Sequence, residues 1–86
     1  MLAILLFWYI LLIVVFDFRW ITFNIDKIAA HGVTVEECQW VIEKSRPSKA
    51  GEKFIAVGRT RSGRKIKAIY VMDDAITVFV ITAYPI

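Results

Sequence analysis

The residues best suited to chemistry in this 86-residue chain are concentrated in one short run. Arg59-Thr60-Arg61-Ser62-Gly63-Arg64-Lys65-Ile66-Lys67 places five cations in nine positions with no carboxylate among them. Cations this dense repel one another unless something anionic lies nearby. Such a run suits contact with a phosphate backbone. The same charges would also protect a solvated hairpin end from edge-to-edge pairing. Ser62–Gly63 reads as a two-residue turn. With Arg61 paired to Arg64, Arg59, Arg61 and Arg64 share one face of the hairpin, and Lys65 and Lys67 the other.

His31 is the only histidine. Imidazoles exchange protons near neutrality, and a histidine before a C-capping glycine also complements the negative end of a helix. Lys27 lies four residues earlier, on the same helix face. The carboxylates do not pair by spacing as an acid and base: Glu36–Glu37 reads as a helix start and Asp73–Asp74 as a turn. No cluster has metal-ligand spacing, and there is neither a glycine-rich phosphate loop nor a nucleophile elbow. Cys38 falls on an apolar stripe and reads as core. Being the only cysteine, it rules out a disulfide framework and a cysteine-built zinc site.

The elements that must position these residues can be read from local pattern. Asn24 is a good N-cap for a helix of about two turns through Ile25, Ile28 and Ala29, which Gly32 ends as the C′ residue. Thr34-Val35-Glu36-Glu37 is a capping box. It opens a second helix with Val35, Cys38, Val41 and Ile42 as its apolar stripe and Trp40 beside it. Pro47 closes that helix, and residues 45–52 read as a polar loop. A strand run follows at Phe54–Val57, a second at Ile66–Met72, and a third, rich in β-branched residues, at Ala75–Tyr84. The hairpin register places Ile55 opposite Tyr70 and Val57 opposite Ala68. The expected fold is α+β, two short helices followed by a three-stranded antiparallel meander.

Composition isolates the beginning of the chain. Hydrophobic residues make up 58% of the sequence, against about 45–50% in an ordinary soluble domain. Residues 1–16 are all apolar, and every charged residue lies after them. The division is therefore an apolar leader, 1–16, and a domain, 17–86, with a net charge of +3 over the whole chain. As a helix the leader would be about 24 Å long, short of the roughly 30 Å of a bilayer core. A span would draw Asp17 and Arg19 into the interface, with Trp20 in the aromatic belt. The leader lacks the basic start and small-residue cleavage pattern of a signal peptide. Three readings stay open: a short membrane anchor, a buried element of the domain, and a start assigned too early. If it spans, Arg19 and Lys27 keep the domain on the cytoplasmic side of the inner membrane.

The stretches NIDKIAAHGVTVEECQWVIE, FIAVGRTRSGRKIKAIYVMDD and VFVITAYP resemble the BrnT-like group of small toxins, within the wider RelE-like ribonuclease superfamily. The most specific parts are the His31-Gly32-Val33-Thr34-Val35-Glu36-Glu37 entry to the second helix and the Gly58-Arg59-Thr60-Arg61-Ser62-Gly63-Arg64 hairpin. The resemblance implies a type II toxin that cleaves RNA without a metal or other cofactor and is held inactive by a cognate antitoxin. It assigns Lys27, His31, Arg59 and Arg64 to the catalytic set, with Tyr70 as a further candidate. Arg59, Arg61, Arg64, Lys65 and Lys67 would bind RNA. The chain departs from the family in Tyr84, where an arginine is usual, in the expected loss of a C-terminal helix, and in the leader. Those departures imply a truncated or degraded relative, or a non-catalytic, membrane-tethered binding domain of the same fold.

Overall fold

The computed structural model describes residues 16–86. Two helices, α1 (Thr22–Ala30) and α2 (Val35–Lys44), follow a short strand β1 (Asp17–Phe18). The strands β2 (Ser48–Ala50), β3 (Lys53–Arg59), β4 (Lys65–Met72) and β5 (Thr77–Pro85) come after them. The fold is α+β, and its sheet is larger than the meander expected from sequence. Five strands stand in the order β1-β5-β4-β3-β2, with β1 parallel to β5 and the other neighbours antiparallel. The expected helix over residues 1–16 lies outside the described residues save Phe16. No helix among the described residues is long and apolar enough to cross a membrane.

Both additions to the meander were hidden for the same reason. β2 is exposed at all three residues, and β1 is barely covered. Neither therefore carries the buried-face alternation that marks a strand in sequence. They are held by ladder bonds to a neighbour. β2 pairs Ser48, Lys49 and Ala50 with Ile55, Phe54 and Lys53 around Gly51, whose φ of 63° suits glycine. Residues 45–52 are thus not simply a loop. The Asp17–Trp20 stretch is joined to the sheet. The Asp17 and Arg19 amides donate to the Ile76 and Val78 carbonyls at 2.8 and 2.9 Å, and Phe18 and Trp20 pack against the core.

α2 starts as its sequence predicts. The Glu37 amide donates to Thr34 Oγ1 at 3.1 Å, and Glu37 Oε1 accepts from the Thr34 amide at 3.1 Å. Arg46, preceding Pro47, is biased against helical backbone, and the helix ends at Lys44. α1 starts earlier than expected. Its N-cap is Ile21, and Asn24 occupies the third helical position, fully buried. From there Asn24 Oδ1 accepts the Ile21 amide at 2.8 Å and Nδ2 donates to the Arg19 carbonyl at 3.0 Å. Asn24 therefore ties the helix start to the chain leaving β1. The end of α1 matches expectation. Gly32 has φ of 74°, and the Gly32 and Val33 amides donate to Ala29 and Ile28 carbonyls at 2.9 and 3.0 Å. Ile28 and Val33 are both buried, completing the apolar contact of this type of helix end.

The core lies between the helices and one sheet face. α1 packs on β5, and α2 on β3 and β4. Ala56, Ala68 and Ala83 form a row across β3, β4 and β5, and all are fully buried. Small residues there let the helices come close. At Gly58 a Cβ would collide with Ser45 Oγ and lie 3.4 Å from Val41 Cγ1. Cys38 is core, as expected, and burial pushes its thiol pKa up to about 12.

The β3–β4 register differs by one residue from the sequence expectation. Phe54 faces Tyr70, Ala56 faces Ala68 and Arg59 faces Lys65. A one-residue slip exchanges the faces of the strand. Ala56, not Val57, therefore joins the core, and Val57 is exposed on the other side. The β4–β5 pairing skips Ile81 between Val80 and Thr82. That bulge keeps Val80 and Ala83, three residues apart, in the same core.

Candidate nucleic-acid interface

The hairpin between β3 and β4 is closed by a five-residue loop organised on Thr60. The Thr60 amide donates to the Arg64 carbonyl at 2.7 Å, and the Gly63 amide donates to the Thr60 carbonyl at 2.9 Å. Thr60 Oγ1 accepts the Arg64 amide at 3.1 Å and shares a hydrogen bond with Ser62 Oγ at 3.0 Å. Thr60 is buried, whereas Arg61, Ser62 and Gly63 are exposed. The two-residue turn expected at Ser62–Gly63 is thus the tip of a longer loop. Gly63, with φ of 89°, makes its sharp reversal.

This loop redistributes the basic residues. Arg59 and Lys65 are directly paired and Lys67 lies two residues on, so these three share the face turned away from the helices. The expected division, with Arg59, Arg61 and Arg64 on one side and the lysines on the other, is corrected by the register. Arg59 Nη1 donates to the Gly63 carbonyl at 2.9 Å, bracing the loop from that face. Arg64 turns to the helix side. Its Nη1 lies 3.5 Å from Glu37 Oε2, and its Nη2 is 3.7 Å from where a Cβ on Gly32 would stand.

The contact with Gly32 brings the hairpin to the turn between the helices, where His31 sits. His31 is exposed, and its ring centroid lies 5.9 Å from that of Tyr84, tilted by 59°. Tyr84 in turn is the cross-strand partner of Lys67. His31, Arg64, Tyr84 and Lys67 therefore adjoin at one end of the sheet, although they come from three separate stretches of sequence. Lys27 is exposed on α1, with its Nζ 5.3 Å from the Phe23 ring centroid. Tyr70 is in the core, stacked on Phe54 at 5.4 Å, and burial raises its hydroxyl pKa. It is therefore not part of the exposed surface.

These groups can hold phosphate oxygens with guanidinium and ammonium donors. An exposed imidazole beside a phenol can also exchange protons with a bound ligand. Among the described residues no three His, Cys, Asp or Glu side chains are grouped to hold a metal ion. No family model, curated protein or solved structure matches the chain.

Sequence reading did not single out Tyr84 as a neighbour of His31, nor Trp40 as part of this surface. Arg61 Cζ and Lys44 Nζ each lie 5.1 Å from the Trp40 ring centroid. The available signal was the position of Trp40 beside, not on, the apolar stripe of α2. An aromatic residue there projects from the flank of the helix toward whatever element packs alongside.

Proposed function

We propose that the chain is a BrnT-like, RNA-directed toxin that engages single-stranded RNA at the hairpin end of its sheet. The observation that carries this reading is that His31, Arg64, Tyr84 and Lys67 gather at one end of the sheet, Arg64 on the helix side and Lys67 with Arg59 and Lys65 on the opposite face. Phosphate binding would come from Arg59, Arg61, Arg64, Lys65 and Lys67. If the RNA is cut, attack of a 2′-hydroxyl on the adjacent phosphate needs a proton acceptor, a proton donor and cationic stabilisation. His31 would take the 2′-hydroxyl proton as the O2′–phosphorus bond forms and return it to the 5′-oxygen as the phosphorus–O5′ bond breaks, leaving a 2′,3′-cyclic phosphate, and Arg64 and Arg59 would neutralise the phosphate. Lys27 would extend the cationic face of α1. A cognate antitoxin would act by covering this surface, and the domain would work in the cytoplasm, free or held to the inner membrane by residues 1–16.

A second reading, a binding domain of the same fold that does not cut RNA, is favoured by how the arginines are engaged. Arg59 braces the loop through Gly63 and Arg64 faces Glu37. Tyr84, where the resembling family has arginine, removes one cation from the same surface.

Fluorescence anisotropy with a labelled single-stranded RNA tests the shared part of both readings. Affinity is expected to fall with salt with a log–log slope of about −0.7 for each phosphate contact. Arg59→Ala together with Arg64→Ala should weaken binding and flatten the slope. Absence of salt-dependent binding by the folded chain would sink both. Loss of RNA cutting in a folded His31→Ala variant that still binds RNA separates the toxin from the binding domain.

A further inference from the structure

A cleft of about 280 Å³ opens between the first half of α2 and the hairpin loop. Glu36, Glu37 and Trp40 line one side, and Thr60, Arg61 and Ser62 the other. Glu36 and Trp40 are four residues apart and so share a face of the helix. Trp40 is half-buried, and Arg61 lies across its ring. Glu37 is occupied, accepting the Thr34 amide and facing Arg64. Glu36, one residue earlier, is exposed and forms no ion pair among the described residues.

We propose that this cleft takes a guanine base of single-stranded RNA, with Trp40 as its stacking surface and Glu36 as the group that reads it. The inference rests on the RNA reading for its ligand class, but not on cleavage. An indole face and a guanidinium plane both stack on bases. Arg61 need only lift from Trp40 to cover an incoming base, and it then stays close to the adjoining phosphate. The choice of base follows from the carboxylate, which only accepts hydrogen bonds. The guanine Watson–Crick edge offers two adjacent donors, N1–H and the N2 amino group, matching the two oxygens of Glu36 in a charge-assisted fork. Adenine and cytosine place an unprotonated ring nitrogen beside a single amino group, and uracil flanks its one N–H with two carbonyls. Each of those turns at least one lone pair toward Glu36.

The test compares the full-length chain on four labelled uridine oligonucleotides, three carrying a single central guanine, adenine or cytosine and the fourth unsubstituted. The guanine oligonucleotide is expected to bind about tenfold more tightly, the scale of one bidentate base contact. Glu36→Gln should bring it to the level of the others and leave the salt slope unchanged. Trp40→Ala should weaken all four by about tenfold, since stacking is tolerant of base identity. Equal affinity for the four in the unaltered chain, or a guanine preference that survives Glu36→Gln, overturns the proposal. Titration of guanosine and adenosine 5′-monophosphates by calorimetry separates it from the wider reading. If no oligonucleotide binds, a guanosine preference abolished by Glu36→Gln upholds the cleft and discards the RNA reading. If neither nucleotide is preferred there, the cleft is discarded too.

Discussion

At one end of the sheet Arg19 meets Asp73, with Nε 2.6 Å from Oδ2 and Nη2 3.2 Å from Oδ1. At the other end Arg64 reaches Glu37 through one contact of 3.5 Å. Arg19 is engaged twice over, because its guanidinium also lies 4.1 Å from the Phe79 ring centroid. Beside it Asp74 Oδ1 accepts the Ile76 and Thr77 amides at 2.9 and 2.8 Å, shaping the turn into β5. Arg19, Asp73 and Asp74 at that end are thus each held by the fold. At the hairpin end Glu37 divides its oxygens between Thr34 and Arg64, and Arg61, Lys65 and Lys67 add cations without matching carboxylates in the run. Charge density alone does not mark an interface. What distinguishes the two ends is how much of the charge the fold has already matched.

The largest expected effect comes from removing charge at the hairpin alone. Lys65→Ala with Lys67→Ala should lower affinity for single-stranded RNA about tenfold near 0.1 M salt and flatten the log–log slope by about 1.4. Arg19→Ala should leave both unchanged in the same anisotropy measurement. Equal effects of the two changes would erase the distinction between the ends.

A smaller effect is expected where α2 supports the hairpin. Thr34→Ala removes the N-cap acceptor and should cost about 1 kcal/mol in urea unfolding. It should also loosen Glu37, and with it Arg64. The accompanying sign is a change in the RNA salt slope, which a cap acting only on helix stability would not produce.

The smallest effect lies at the Asp73 end and appears in acid. The Arg19 hydrogen bond holds the Asp73 carboxyl below its ordinary range, and backbone donation from Ile76, with donation from Thr77, does the same for Asp74. The folded state therefore releases these protons more readily than the unfolded one. Their stabilisation is complete above the unfolded carboxylate value, about 3.9, and is lost as pH falls through the depressed folded values. The urea midpoint should decline over that interval, and less steeply for Asp73→Asn with Asp74→Asn. An unchanged profile would show that these exposed groups do not couple to folding.

Sequence showed most where a local rule is complete within a few residues. Thr34 and Glu37 satisfy one another three positions apart, and Gly32 serves a helix end whose partners are Ile28 and Ala29. Cys38 and Val41 keep helical period, and both are buried. Legibility failed where the deciding contact is distant. Asn24 has the right side chain for a cap, but its carbonyl partner on Arg19 and its complete burial move it into the helix. The hairpin register turned on Thr60, whose hydroxyl closes a five-residue loop that Ser62–Gly63 alone does not reveal. The basic run at 59–67 was plain in the sequence. The adjacency of His31 and Tyr84, 53 residues apart in the numbering, needed the fold.

The parallel pairing of β1 with β5 has a mechanical consequence. A tether pulling on the chain before Asp17, resisted by a partner holding the end of β5, would load these strands in opposite directions along their length. The Asp17–Ile76 and Arg19–Val78 backbone bonds would then be strained together in shear, not opened one after another from an end. With only two residue pairs in register the junction can bear little force, and it would release before the β3–β4–β5 ladders are disturbed. Tension on the tether would thus uncouple the N-terminal segment from a sheet whose hairpin end stays assembled.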